Sequence, residues 1–424
     1  MTRDLPKLTG PVEIAAMGVQ GDGIAETAHG RLFVPFTLPG ERVRAEMQAR
    51  RGEGWTARLI EIETPSLLRR PAPCAHFGTC GGCMMQHADA EMYRAWKRSL
   101  VETALRQRGL EMPAAAPLIA TAPNTRRRAR FAAIRDDHGL HLGFHAPEST
   151  EVIPISECHV VTPSLGAQLG LLRDLAMTAL TAGQSATVTA TETETGLDVL
   201  ITGSRKLERR RALTDFASKA PIARLCWQEG RGEPEPLVQH VAPRMHFGGI
   251  ALALPPDAFL QPSAEGEAAL VEAVTRLVGK AKSIADLYAG CGTFTFPLAK
   301  IGKVAAFEAS KPAVAAVINA VNHSGLAGRI TATARNLDSS PLPPEELKRF
   351  DCVVFDPPRA GAKTEAEMLA RSRVKRVVAV SCNPTTFARD ARILVDGGFA
   401  LTDLVAVDQF VWSAHVEVVA AFKR

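Results

Sequence analysis

Short apolar runs alternate with amphipathic stretches through the C-terminal part of the chain. Residues 283–288, 303–307, 351–355 and 375–380 read as buried strands. A helix is expected from Thr293, another over residues 311–323, and one after each later strand. Strand-like runs at 401–407 and 416–422 close the chain. This alternation, setting in at about residue 264, predicts a doubly wound α/β domain with a mostly parallel sheet. Ligands of such sheets sit at the carboxyl ends of the strands.

The N-terminal pattern differs. Residues from about 10 to 65 alternate short β-type runs with glycine turns, as in a small OB-like barrel. Such barrels often bind oligonucleotides, and a purely structural barrel fits the same pattern. Residues 88–110 carry Met92, Trp96, Leu100 and Leu105 near helical spacing. Residues from about 120 to 255 mix short strands and basic loops around one helix at 163–181. Three domains are therefore expected: 1–65, 66–255 and 256–424, with helix 88–110 packed on the last.

At 424 residues the chain exceeds one typical core. No apolar run approaches the roughly 20 residues that span a bilayer. The opening Met1-Thr-Arg-Asp-Leu-Pro-Lys lacks the apolar stretch of a secretory leader. The expected compartment is the cytoplasm, with no membrane partner.

Net charge is +5, but the basic residues cluster. Arg126, Arg127, Arg128, Arg130 and Arg135 occupy a stretch without an acid, and Arg205, Lys206, Arg209, Arg210 and Arg211 are interrupted only by Glu208. One such run is usually a solvated face. Two runs beside other nucleic-acid signals favour phosphate contacts, with Arg126, Arg127, Arg128 and Arg130 the candidate RNA-binding set.

Three segments carry candidate chemistry. In Asp286-Leu-Tyr-Ala-Gly290-Cys-Gly292, two glycines follow a strand and open a helix, so the backbone turns tightly and approaches a ligand. Glu308 ends the next strand, where a carboxylate can accept from both ribose hydroxyls. The Gly-x-Gly turn is shorter than a dinucleotide fingerprint and suits a single nucleoside such as S-adenosylmethionine; a tight structural turn is the plain alternative. Asp356-Pro-Pro-Arg359 ends another strand as a rigid wall, or as a surface turn. Cys382 ends the run Val377-Val-Ala-Val380-Ser381 near a helix start, where a thiol can have a lowered pKa and act as a nucleophile; a buried inert cysteine is the commoner fate. Glu417 lies inside an apolar strand, either as a general base or at an edge position facing water.

The chain resembles the bacterial RNA 5-methyluridine (uracil-C5) methyltransferases over nearly its whole length. The resemblance rests on Cys74-x5-Cys80-Gly-Gly-Cys83, Cys158, Phe259-x-Gln261, the Asp286–Gly292 segment, Asp356-Pro-Pro-Arg, Ser381-Cys382-Asn-Pro and His415-Val-Glu417, in this order. It implies a class I S-adenosylmethionine-dependent methyltransferase domain of Rossmann-like fold. It also implies a TRAM domain for the N-terminal barrel and a central α+β domain holding the cysteines. By resemblance Cys382 adds to carbon 6 of uracil, Glu417 removes the carbon 5 proton, and Asp356 holds the base or cofactor. Gln261, Tyr288, Gly290, Gly292, Glu308 and Asn336, with Asp356, would contact S-adenosylmethionine. Cys74, Cys80, Cys83 and Cys158 match the family's ligands for a 4Fe-4S cluster; four thiolates also suit zinc. Cys226, Cys291 and Cys352 read as core residues. The TRAM domain and the cysteines imply 23S ribosomal RNA as substrate, with transfer RNA the second reading and a non-catalytic RNA-binding or assembly protein the third. A monomer without an obligate protein partner is expected. Three positions depart from the family's usual pattern: Ser263 after Phe-x-Gln, Thr293 after the glycines, and Val411-Trp412 before His415. They bear on the fine geometry of cofactor and base contacts.

Overall fold

The computed structural model describes residues 8, 10–113 and 116–424, so the opening heptapeptide read for a leader lies outside it. The chain forms two compact units. One comprises the N-terminal segment to Leu100 with His145–Glu151 and Phe410–Ala414; the other comprises Val101–Phe144, Val152–Gln409 and His415–Arg424.

In the first unit, strands between Val12 and Thr64 form one six-stranded sheet. Its long hairpin, Arg42–Arg51 with Gly54–Thr64, carries three register shifts, which bend and twist a ladder. Residues 12–17 pair on one side with the Arg42 strand and on the other with the Gly23 strand, so the two ends of the sheet meet in one segment. Ile14, Ala25, Leu32, Val34, Val43, Met47 and Ala57 fill the interior.

The second unit holds two large sheets. A seven-stranded sheet over residues 128–239 packs against Leu169–Ala179 and Arg210–Ala217 around Phe131, Leu172, Val188 and Ile201. The eight-stranded sheet positions the site. Its strands are β1 (Leu118–Ala120), β2 (Ser283–Leu287), β3 (Lys303–Glu308), β4 (Ile330–Ala334), β5 (Cys352–Phe355), β6 (Arg376–Ser381), β7 (Ala400–Asp408) and β8 (Glu417–Lys423). Their spatial order is β4-β3-β2-β5-β6-β8-β7-β1. Strands β4 through β6 run parallel, and β8 is antiparallel to both neighbours. Helices α1 (Ala264–Val278), α2 (Lys311–His323), α3 (Lys363–Arg371) and α4 (Pro384–Asp396) follow the strand–helix alternation read from the sequence. The helix expected from Thr293 is a single turn, Thr295–Leu298. The interior strands are buried on both faces, which explains their continuous apolar runs. Cys226, Cys291 and Cys352 are buried, and burial pushes each thiol up to about 12. Among the described residues, no helix is long and apolar enough to cross a membrane.

Candidate active site

Strand order reverses between β2 and β5, and the two loops leaving their carboxyl ends hold the glycine turn and the Asp356 turn. Such a switch point is where open α/β sheets bind ligands. Tyr288, just past β2, sits at φ +61°, and Gly290 and Gly292 at +54° and +88°. A non-glycine residue held there stores local strain that the surroundings must maintain. At Gly292 a Cβ would stand 2.7 Å from the Phe296 ring, so only glycine fits; at Gly290 it would meet nothing within 4 Å, which leaves that backbone open to a ligand. Glu308, the last residue of β3, accepts the Gly290 N–H at 3.0 Å and the Ser310 N–H at 2.7 Å. Each of its oxygens retains a second acceptor site. The Tyr288 hydroxyl reaches Asp338 at 3.4 Å, and exposed Asn336 fixes that turn by accepting the Asp338 N–H at 3.0 Å. Below the turn, buried Asp286 accepts from Thr295 at 2.5 Å while its other oxygen has no partner among the described residues. Burial, reinforced by the charges of Asp356 and Glu308, pushes its carboxyl up to about 7.

The catalytic candidates meet on the same edge. Asp356 follows β5, Cys382 follows β6, and Gln409 follows β7. Glu417 opens β8, which runs the other way, so its first residue lies where its neighbours end. In the register, Ser381 pairs with Val418 and Val407 with Glu417. Glu417 is thus in an interior strand and buried, which removes the water-facing edge alternative. Asn383 caps α4 by accepting the Thr385 N–H, and Pro384 starts the helix without an N–H to lose. The Asn383 amide also donates to the Arg359 carbonyl at 3.1 Å, and Thr386 donates to the same oxygen at 3.2 Å. The cysteine elbow and the Asp356–Arg359 turn are therefore tied together.

A chain of hydrogen bonds joins the two carboxylates. Gln261 Nε2 donates to Asp356 at 3.2 Å, Gln409 Nε2 donates to Gln261 Oε1 at 2.7 Å, and the same Gln409 nitrogen donates to Glu417 Oε1 at 3.1 Å. Gln261, Gln409 and Glu417 are all buried. Burial pushes Asp356 up to about 7, offset by the Gln261 hydrogen bond. Burial and then the Asp356 charge push Glu417 up to about 8, against Gln409 and Arg359. The Cys382 thiol is pushed up to about 11, first by burial and then by Glu417 and Asp356, against Arg359. This reverses the expectation of a lowered thiol pKa. The helix start lies beside it, yet burial and then the two carboxylates raise the thiol. Gln409 and Arg359 were not singled out from the sequence as site residues; a glutamine at a strand end carries no signal until its partners are known.

The basic cluster needs one correction. Arg127 is buried, pairs with Glu267 at 2.6 Å and donates to the Gln261 carbonyl at 3.2 Å. Its charge is committed inside the protein, so it supports the Gln261 backbone rather than a phosphate. Arg128 pairs with Asp257 at 3.1 Å, Arg126 donates to the Arg128 carbonyl, and Arg130 is exposed. In the second run Arg210 forms a two-point pair with Glu235.

Cys74, Cys80 and Cys83 lie in the first unit and Cys158 in the second, and all four are half-buried. The Gly82 N–H donates to the Cys80 sulfur at 3.4 Å. Among the described residues, no group of three or more His, Cys, Asp or Glu is arranged to hold a metal ion.

An open glycine turn beside a cysteine–carboxylate pair, at the switch point of a mostly parallel sheet, is the arrangement of a nucleotide-type ligand site with reactive groups next to it. Residues 250–424 match the family model described as tRNA (uracil-5-)-methyltransferase. A Brucella suis protein described as an uncharacterized RNA methyltransferase is 42% identical over 418 residues, covering 98% of each chain. The 23S rRNA (uracil(1939)-C(5))-methyltransferase RlmD of Chromohalobacter salexigens is 32% identical, over 97% of this chain and 89% of that one. The crystal structure of the Pyrococcus abyssi tRNA (uracil-54, C5)-methyltransferase with S-adenosyl-L-homocysteine superposes with a TM-score of 0.75 at 23% identity, over 97% of this chain and 100% of that one. That likeness establishes the fold. The chain belongs to the RNA uracil-C5 methyltransferase family.

Proposed function

We propose that this enzyme methylates carbon 5 of a uracil in 23S ribosomal RNA, with S-adenosylmethionine as methyl donor. The observation that carries the reading is the convergence of Cys382, Glu417 and Asp356 on one sheet edge, beside the open Gly290 turn. The donor, when bound, supplies an electrophilic methyl group on a sulfonium. Gly290, Gly292, Tyr288, Glu308, Asn336 and Gln261 line its place, with Glu308 free to accept from ribose hydroxyls.

Carbon 5 of uracil is a weak nucleophile until carbon 6 is loaded. The Cys382 sulfur, after losing its proton to a neighbouring base, bonds to carbon 6, and the displaced π electrons form an enolate over carbon 5, carbon 4 and its oxygen. Carbon 5 then takes the methyl group. Glu417 accepts the carbon 5 proton, the carbon 5–carbon 6 double bond re-forms, and the bond to Cys382 breaks with the electrons returning to sulfur. Asp356 holds the base or cofactor. A target within a stack must first be flipped out.

The RlmD-like relative supports ribosomal RNA, and the description of the family model supports transfer RNA as the second reading. The N-terminal unit is read as a TRAM domain over residues 1–65, residues 66–255 as a central domain and 256–424 as the catalytic domain. Arg130 is the clearest phosphate contact of the basic cluster. The enzyme is expected to act as a cytoplasmic monomer. The donor chemistry of Cys74, Cys80, Cys83 and Cys158 fits a structural 4Fe-4S cluster, with the Gly82 N–H on the Cys80 sulfur as a bond that would steady a ligated thiolate. No reaction step passes through it. Iron and sulfide analysis of anaerobically purified protein tests the cluster, and zinc in their place would overturn it.

The function is tested by transfer of labelled methyl from S-adenosylmethionine to ribosomal RNA of cells lacking the protein, with Cys382→Ala as control. Label in 5-methyluridine that the variant fails to add supports it. Label only in transfer RNA moves the substrate, and none in either favours the binding-protein reading.

A further inference from the structure

Glu417 presents two unlike oxygens. Its Oε1 accepts from Gln409 Nε2 at 3.1 Å; its Oε2 is buried with no partner among the described residues. The direction of the whole chain follows from its far end. Asp356 offers only acceptors when ionised, so Gln261 must turn its NH2 toward it and its oxygen toward Gln409. Gln409 must then turn its own NH2 toward Gln261, and the second proton of that nitrogen points to Glu417. An acceptor at Asp356 thus delivers a donor to Glu417 across two buried amides.

The fold makes room for this. Gln409 packs against Gly266 on α1, where a Cβ would stand 2.5 Å from Gln409 Oε1 and 2.6 Å from its Cβ. No larger residue leaves the amide in place. The Arg127 guanidinium holds the Gln261 carbonyl from behind, with its charge balanced by Glu267.

We propose that Gln409 is a positioning residue for the base: it holds Oε1 of Glu417, leaves Oε2 as the oxygen that meets the carbon 5 proton, and ties that base through Gln261 to Asp356. This rests on the role given to Glu417 above. The other ionisable groups bearing on Glu417 are Asp356 and Arg359 from the turn after β5, and Cys382 after β6. The adjacent acid of α1, Glu267, is neutralised by Arg127. Among the described residues, the side-chain hydrogen bond to the Glu417 carboxylate comes from Gln409, so its loss makes the anion harder to form.

The test uses the full-length enzyme and the RNA that the wild type methylates. Gln409→Met keeps the volume and removes the donors. Methyl transfer in a single turnover should change little, while release slows by about tenfold or more. A covalent protein–RNA adduct through Cys382 should accumulate near neutral pH and clear when the pH is raised. The acid limb of turnover against pH should move upward. Gly266→Ala displaces the same amide with Gln409 intact and should shift the limb in the same direction; it also serves if Gln409→Met does not fold. A uniform loss at every pH, or an unchanged profile without adduct, overturns the proposal. A wild type that makes no 5-methyluridine overturns the proposed function instead, so the two failures are distinguishable.

Discussion

Cys382 and Glu417 fall at the next step of an antiparallel ladder whose last pair is Ser381 with Val418. The proposed nucleophile and base, 35 positions apart in the chain, are therefore held in register by main-chain hydrogen bonds rather than by loops. Burial raises both groups, and the charge of Glu417 raises the thiol further. A base for carbon 5 beside the sulfur on carbon 6 is the geometry that elimination requires.

Replacement of that base should trap the reaction. Glu417→Gln keeps the shape, removes the acceptor and should lower turnover by about 10²–10⁴-fold. Methyl transfer should still occur, so a methylated RNA should remain bonded to Cys382 and appear as a shifted band on a denaturing gel. A variant that folds and binds RNA without forming any adduct would show that Glu417 has another role.

The stability of the ligand-free enzyme should fall as pH rises through neutrality. Asp286, Asp356 and Glu365 are each pushed up to about 7 and Glu417 to about 8, mainly by burial. Unfolded carboxyls titrate near 4, so the native state holds protons that the unfolded chain has released. This contribution is complete below about pH 4 and is lost as pH climbs toward 8. Glu365 lies outside the reacting groups, with one oxygen on the Leu342 N–H and the other without a partner among the described residues. Glu365→Gln should therefore lose less melting temperature than the wild type between about pH 5.5 and 8.5. Parallel curves for the two proteins would contradict the assignment.

The glycine turn should tolerate no side chain at Gly292. Gly292→Ala places a methyl 2.7 Å from Phe296 at φ +88°. Strain of about 1–3 kcal/mol is expected, with binding of S-adenosylhomocysteine weakened by tenfold or more. Calorimetric titration and a thermal melt read both effects; an unchanged affinity would remove the turn from the cofactor site.

Two neighbouring arginines should behave oppositely. Arg127→Ala leaves half-buried Glu267 without its partner and should cost about 3 kcal/mol of stability. Arg130→Ala should leave stability nearly unchanged, weaken RNA binding and reduce the salt slope by about 1. Denaturant melts and binding at several salt concentrations separate the two. An Arg130→Ala enzyme with an unaltered salt slope would place the RNA elsewhere.

Much of the catalytic sheet was legible along the chain because its strands are buried on both faces and its helices on one, which imprints period and run length on local sequence. The motif residues were legible too, since glycine, proline and cysteine at strand ends restrict local backbone and chemistry. Partnership was not. Arg127 and Arg130 look alike in the sequence, yet one is buried against Glu267 and the other faces solvent. The thiol pKa was read from a helix start, whereas burial first, and then carboxylates delivered from β8 and β5, raise it. Gln409 acquired meaning only when the reversal of β8 brought Glu417 back to the edge where β7 ends. Local chemistry sets which atoms are available along this chain; burial and long-range pairing, which depend on residues distant in sequence, decide which of them meet and how strongly each holds its proton.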